Sequence, residues 1–120
     1  MYGSPKRSEG EAICGRLIAE MHKLGFHDES LSGSLPRYEE AVFTTERDPY
    51  SGDDTLVASW RDLHGRRVGC LKFHGDGTFF AEYDLVRPHP RDPRWFVEGV
   101  VAWGKGAMIK SEPRLLPIPG

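Results

Sequence analysis

The chain is poor in the features that would classify it quickly. It has two cysteines, Cys14 and Cys70, far apart and outside any CxxC pair, so a disulfide scaffold or a thiolate zinc site finds no support. Both read as small buried hydrophobes. No apolar run is long enough to span a bilayer, and the opening MYGSPKRSEGEAICG lacks an apolar stretch followed by a small-residue cleavage site. No membrane segment is therefore read, and a cytoplasmic location is expected. Neither charge is in excess: sixteen Lys and Arg against eighteen Asp and Glu give a formal charge of -2. That balance offers no long-range attraction to a phosphate backbone or an anionic membrane.

Catalytic signatures are also missing. The sequence holds no GxSxG elbow, no glycine-rich loop ending in GK[ST], no HExxH and no EF-hand loop, each of which places reactive groups at a fixed spacing. Gly104-Lys105-Gly106 shares with a phosphate loop only a lysine between glycines. Cys14 has no basic residue that the sequence places beside its sulfur, which argues against a thiolate nucleophile. No metal and no cofactor is expected.

What is present is the composition of an ordinary globular chain, with 38% apolar and 28% charged residues over 120 positions. One domain, 1–120, with one core is expected. Its first element is an amphipathic helix over about 9–24. Ser8 and Glu11 match a capping box, and Ile13, Leu17, Ile18, Met21 and Leu24 fall on one face, with Arg16, Glu20 and Lys23 outside it. Gly25 and Phe26 fit a Schellman ending.

Strands follow a polar connector, HDESLSGSLPR. A weak alternation runs from Tyr38 to Thr45. Thr55–Leu63 and Arg67–Phe73 flank a His64-Gly65 turn and read as a hairpin, with Leu56, Ala58 and Trp60 on one face of the first strand and Gly69, Leu71 and Phe73 on one face of the next. In TFFAEYDLV the alternation is clean: Phe79, Ala81, Tyr83 and Leu85 face one way, and Phe80, Glu82, Asp84 and Val86 the other. WFVEGVVAW divides into Trp95, Val97, Val101 and Trp103 against Phe96, Glu98, Val100 and Ala102. A helix starting at Asp92-Pro93 competes there, but the valines, tryptophans and Gly99 favour a strand. A short strand near Ala107–Ile109 closes a sheet spanning about 38–109. The prolines of 111–120 predict an extended tail. The expected fold class is α+β: an N-terminal amphipathic helix on one face of a four- to six-stranded, mostly antiparallel meander.

Two groups of residues have chemistry worth weighing. Glu82, Asp84 and Glu98 are predicted on one wet face of neighbouring strands, where opposed residues lie about 5 Å apart and diagonal ones about 8 Å. Such acids can divide general acid and base duties when crowding separates their pKa values. A solvated face with Lys72 or arginines as counterions is the plainer reading. His64 and His74 each precede a glycine, and Asp76 follows His74, but meander turns alternate between sheet ends, which separates the two histidines. A turn role for His74-Gly75-Asp76-Gly77 is favoured.

The second group is the basic stretch RPHPRDPR, with Arg87, His89, Arg91 and Arg94 beside Trp95 and Phe96. Arginines can grip phosphate or carboxylate bidentately, and aromatics can stack on bases. The acidic total and the nearby Glu82 and Asp84 argue against nucleic acid. Pro88, Pro90 and Pro93 stiffen the loop, so a plain connector is favoured. These observations predict a non-catalytic binding or assembly module that uses the second sheet face, with a protein partner or a second copy meeting Phe80, Val86, Phe96 and Val100. The runner-up is a small hydrolase or isomerase with Glu82, Asp84 or Glu98 as acid or base and His74 as accessory base. Anion or nucleic-acid binding through Arg87, Arg91 and Arg94 is third.

Overall fold

The computed structural model describes residues 7–27, 35–47, 49–50 and 52–119. These form α1 (Arg7–Leu24), a single 3-10 turn (Tyr38–Glu40) and six strands: β1 (Val42–Arg47), β2 (Asp54–Arg61), β3 (Arg67–Phe73), β4 (Thr78–Pro88), β5 (Trp95–Lys105) and β6 (Met108–Pro117). The strands make one antiparallel sheet in the order β1-β2-β3-β4-β5-β6. The fold is thus the expected α+β arrangement of one helix on a meander.

The helix buries Ile13, Leu17, Met21 and Leu24, one apolar stripe at helical spacing. Its end is a Schellman motif: the Phe26 amide donates to the Met21 carbonyl and the Gly25 amide to the His22 carbonyl, both at 3.1 Å, with Gly25 at φ 107 where glycine carries no Cβ penalty. Two expectations about α1 are corrected. It starts at Arg7, so Ser8 and Glu11 lie inside the helix and make no capping box; Arg7 instead pairs with Glu11 one turn on and lies over the Tyr38 ring, 4.9 Å from its centroid. Glu20, placed outside the apolar face by its charge, is buried, because β6 runs beneath the helix there. Its carboxylate is satisfied: Ser111 Oγ donates to Glu20 Oε2 at 3.4 Å, and Arg16 Nε donates to Ser111 Oγ at 3.1 Å.

The sheet face under α1 carries the predicted residues of β2, β3 and β4. Trp60 is fully buried, donates Nε1–H to the Arg37 carbonyl at 2.9 Å and meets Tyr83 edge to face at 6.4 Å, the geometry aromatic quadrupoles prefer. Segment 95–103 lies wholly within β5, so the competing helix is excluded. A bulge between Val97 and Gly99 changes the face assignment along β5. Val100 and Ala102 pair with Tyr83 and Ala81 and join Val97 in the core. Val101 and Trp103 pair with Glu82 and Phe80 and move to the uncovered face. The expectation that Val100 lies on that open face is therefore corrected. Gly99 makes the bulge possible, since a Cβ there would sit 2.3 Å from the Tyr83 carbonyl oxygen.

The proline-containing tail is also corrected. Met108–Pro117 is a ten-residue strand paired along β5, and it is an edge strand, the place where a residue without an N–H is tolerated. Leu115 is one of its inward residues and packs against the core opposite Val97, whereas Leu116 is exposed.

Candidate functional site

On the uncovered face the register lays side chains out in rows. One row crosses the sheet as Thr44, Val57, Lys72, Phe80, Trp103 and Lys110, and the next as Val42, Ser59, Cys70, Glu82, Val101 and Glu112. Val57, Cys70 and Val101 are buried although no element among the described residues lies over them. Arg114 reaches across this face to hold its guanidinium 6.0 Å from the Phe80 ring centroid. Phe80 and Trp103, side by side at the centre, are only partly buried.

Glu82 and Asp84 come together as expected. With Arg67, Cys70 and Lys72 they line a shallow depression of about 240 Å³, below the roughly 300–1,000 Å³ usual for small-molecule pockets. Asp84 faces Gly99 across the β4–β5 pair, and Glu98 belongs to the bulge beside it. The Asp84 carboxyl is held above its ordinary value, first by desolvation and then by the like charges of Glu82 and Glu98, with Arg114 opposing. The Cys70 thiol lies 3.9 Å from Glu82 Oε1, and burial pushes it up as well, so it is a protonated, weakly donating group at neutral pH.

His74 is not part of this group. It follows the far end of β3, four residues from Cys70, roughly 13 Å along an extended strand. It lines a separate depression of about 240 Å³ with Glu46, Arg47, Tyr50, Thr55 and Lys72. The adjacent Asp76 has a turn role: it accepts the Thr78 amide at 2.9 Å and the Thr78 hydroxyl at 2.6 Å, and these bonds hold its carboxyl low. Asp62 does the same in the β2–β3 turn, accepting the His64 and Arg66 amides at 2.8 and 3.0 Å. Among the described residues no three His, Cys, Asp or Glu side chains are grouped to hold a metal ion.

The basic loop is tied down by its own groups. Arg91 Nη1 donates to the Lys23 carbonyl at 3.1 Å, satisfying one of the carbonyls left open at the end of α1. Arg94 Nε and Nη2 form a fork on Asp92 at 3.0 and 2.7 Å, which pulls the Asp92 carboxyl down to about 2. His89 Nδ1 accepts the Arg91 and Asp92 amides at 3.0 and 3.1 Å. Val86, at the bulge between Asp84 and Arg87, sits at φ 50 with 66% of its surface exposed.

A third depression, about 420 Å³, lies where Cys14, Ile18 and Tyr38 meet beside Arg7 and Glu39. Burial, then Glu39 and Glu11, push its Cys14 thiol up to about 12, leaving no thiolate at neutral pH. Phe96 pairs with Pro88 on one side and Leu116 on the other. Sequence alternation missed Trp103 as a member of the exposed surface, and the signal for it was Gly99, since an isolated glycine within a strand pattern marks a bulge. No helix among the described residues is long and apolar enough to cross a membrane. Comparison with protein-family models, curated proteins and solved structures finds no match for this chain.

Proposed function

We propose that the protein is a non-catalytic binding module, acting in the cytoplasm, whose uncovered sheet face receives a protein partner. The observation that carries this reading is the pair Phe80 and Trp103, partly buried and still open to solvent at the centre of that face, flanked in their row by Lys72 and Lys110. An aromatic centre inside a charged rim is the composition of a protein-binding patch. The neighbouring row adds Glu82 and Glu112, so a complementary partner carries an apolar knob with acids on one side and bases on the other. Val86 supports the same reading, because a β-branched residue in the left-handed region costs stability and its exposed side chain repays little of that locally.

The test is a photo-crosslinking amino acid placed at Trp103 and, as control, at the exposed Glu9 of α1. Adducts to one discrete protein species are expected from the Trp103 position and not from Glu9. Equal labelling from both positions removes the reading. A second reading, a carboxylate-dependent hydrolase, is favoured only by the raised Asp84 beside Glu82. With His74 at the far end of β3, such an enzyme would work with carboxylates alone.

A further inference from the structure

The two edges of the sheet are built differently. The β6 edge contains Pro113 and Pro117 and the charged Lys110 and Arg114, the devices that keep an edge strand from pairing with another chain. The β1 edge, Val42-Phe43-Thr44-Thr45-Glu46-Arg47, has no proline and no lysine, and its first four residues are β-branched or aromatic. All six are exposed, and they pair with β2 in unbroken register from Val42↔Ser59 to Arg47↔Asp54. On its outer side β1 meets no further strand among the described residues. An extended, regular row of backbone donors and acceptors is thus presented without the proline and lysine that guard the other edge, and strand addition there displaces no strand among the described residues.

We propose that this edge pairs with β1 of a second copy, antiparallel across a two-fold axis at Thr45. A two-fold axis perpendicular to the sheet keeps the helix layers of both copies on one side, so residues of the same face must oppose one another. Centred on Thr45, the pairing sets Thr45 against Thr45, Phe43 against Arg47, and Thr44 against Glu46. Each opposition is favourable: a threonine pair, two guanidinium groups beside phenyl rings, and two hydroxyls that donate to carboxylates. Glu46 and Arg47 cancel, so the strand does not repel its copy. Arg47 keeps its partner within the chain, since its Nε lies 3.7 Å from Asp54 Oδ1 and the plane of the guanidinium stays open to an aromatic ring. Centring on Thr44 instead would set Glu46 against Val42 and lose these matches. The product is a continuous sheet made of two six-stranded halves. A six-residue strand pair is a small interface, below about 1,200 Å² in total, so the dimer is concentration-dependent rather than obligate.

The experiment is sedimentation velocity of the full chain over a wide concentration range, with T45K and T44K compared against the parent. Both substitutions fall at exposed positions on the edge, and circular dichroism and thermal melting establish that each variant is folded. T45K sets two ammonium groups against each other at the axis and is expected to weaken the dimer at least tenfold. T44K sets an ammonium group opposite Glu46 and is expected to leave the dimer as strong or stronger. A chain that stays monomeric up to millimolar concentration overturns the proposal, as does a dimer indifferent to T45K, or one lost in T44K but kept in T45K. The β1 edge is separate from the Phe80 and Trp103 patch, so neither outcome bears on the crosslinking test.

Discussion

At the scale of single residues, Asp84 is the group whose chemistry departs most usefully from its ordinary behaviour. Desolvation and the neighbouring Glu82 and Glu98 raise its folded-state pKa, so the fold binds its proton more tightly than the unfolded chain does. Linkage then makes the ionised form a cost: stability falls as pH rises from the unfolded value near 3.9 through the raised folded value, and the cost persists at pH 7. Asp84→Asn is expected to stabilise the protein at pH 7, by less than about 1 kcal/mol because the carboxylate is exposed and screened. The gain should vanish below about pH 3.9, where Asp84 is protonated in both states. Urea denaturation of both proteins at pH 7 and pH 3.5 measures this, and a destabilised variant at pH 7 would show that Arg114 outweighs the like charges. The three acids, the crowding that can separate their pKa values and Lys72 as a counterion were legible in the sequence. Alternation along β4 placed Glu82 and Asp84 on one face, but Arg67 joins their depression from β3 through a register that residue order alone does not give.

At the scale of elements, the two β-bulges decide what the surface looks like. The β4 bulge puts Val86 at φ 50, where an L residue pays roughly 1–2 kcal/mol. Glycine escapes that cost but loses about 0.5–1 kcal/mol through its freer unfolded state. Val86→Gly is therefore expected to be neutral or to raise stability by up to about 1 kcal/mol, read as an unchanged or higher melting temperature. A clear fall would mean that the Val86 side chain packs within the chain. The β5 bulge explains why strict alternation misplaced half of that strand. Phe96 and Val97 read correctly, and past Gly99 every face reverses. The loop Arg87–Arg94 shows a different obstacle. As a sequence it is a basic cluster, yet Arg94 is spent on Asp92 two residues away and Arg91 on the Lys23 carbonyl at the end of α1. The first pairing is local enough to read from RDPR, whereas the second requires the helix end to be docked.

At the scale of the whole molecule, α1 packs across β4, β5 and β6 of the six-stranded sheet. Leu17 sits at the middle of that contact with no exposed surface, and replacing it by alanine removes burial and leaves a cavity. Leu17→Ala is expected to cost about 2–5 kcal/mol, measured as a lower urea midpoint with unchanged slope; a loss below about 1 kcal/mol would show that the helix is not anchored there. The helix, its stripe and its Schellman end were all legible in the sequence because each depends on neighbours within one or two turns. The ten-residue β6 was not, because proline argues against a strand until the segment is known to lie at an edge. That edge has a consequence of its own. A sheet that is open at β1 and stoppered by proline at β6 has a valence of one: two copies joined at their open sides expose only stoppered ones. Growth by strand addition then ends at a pair, and the chain can keep an unguarded edge without thereby becoming the repeat unit of a fibre.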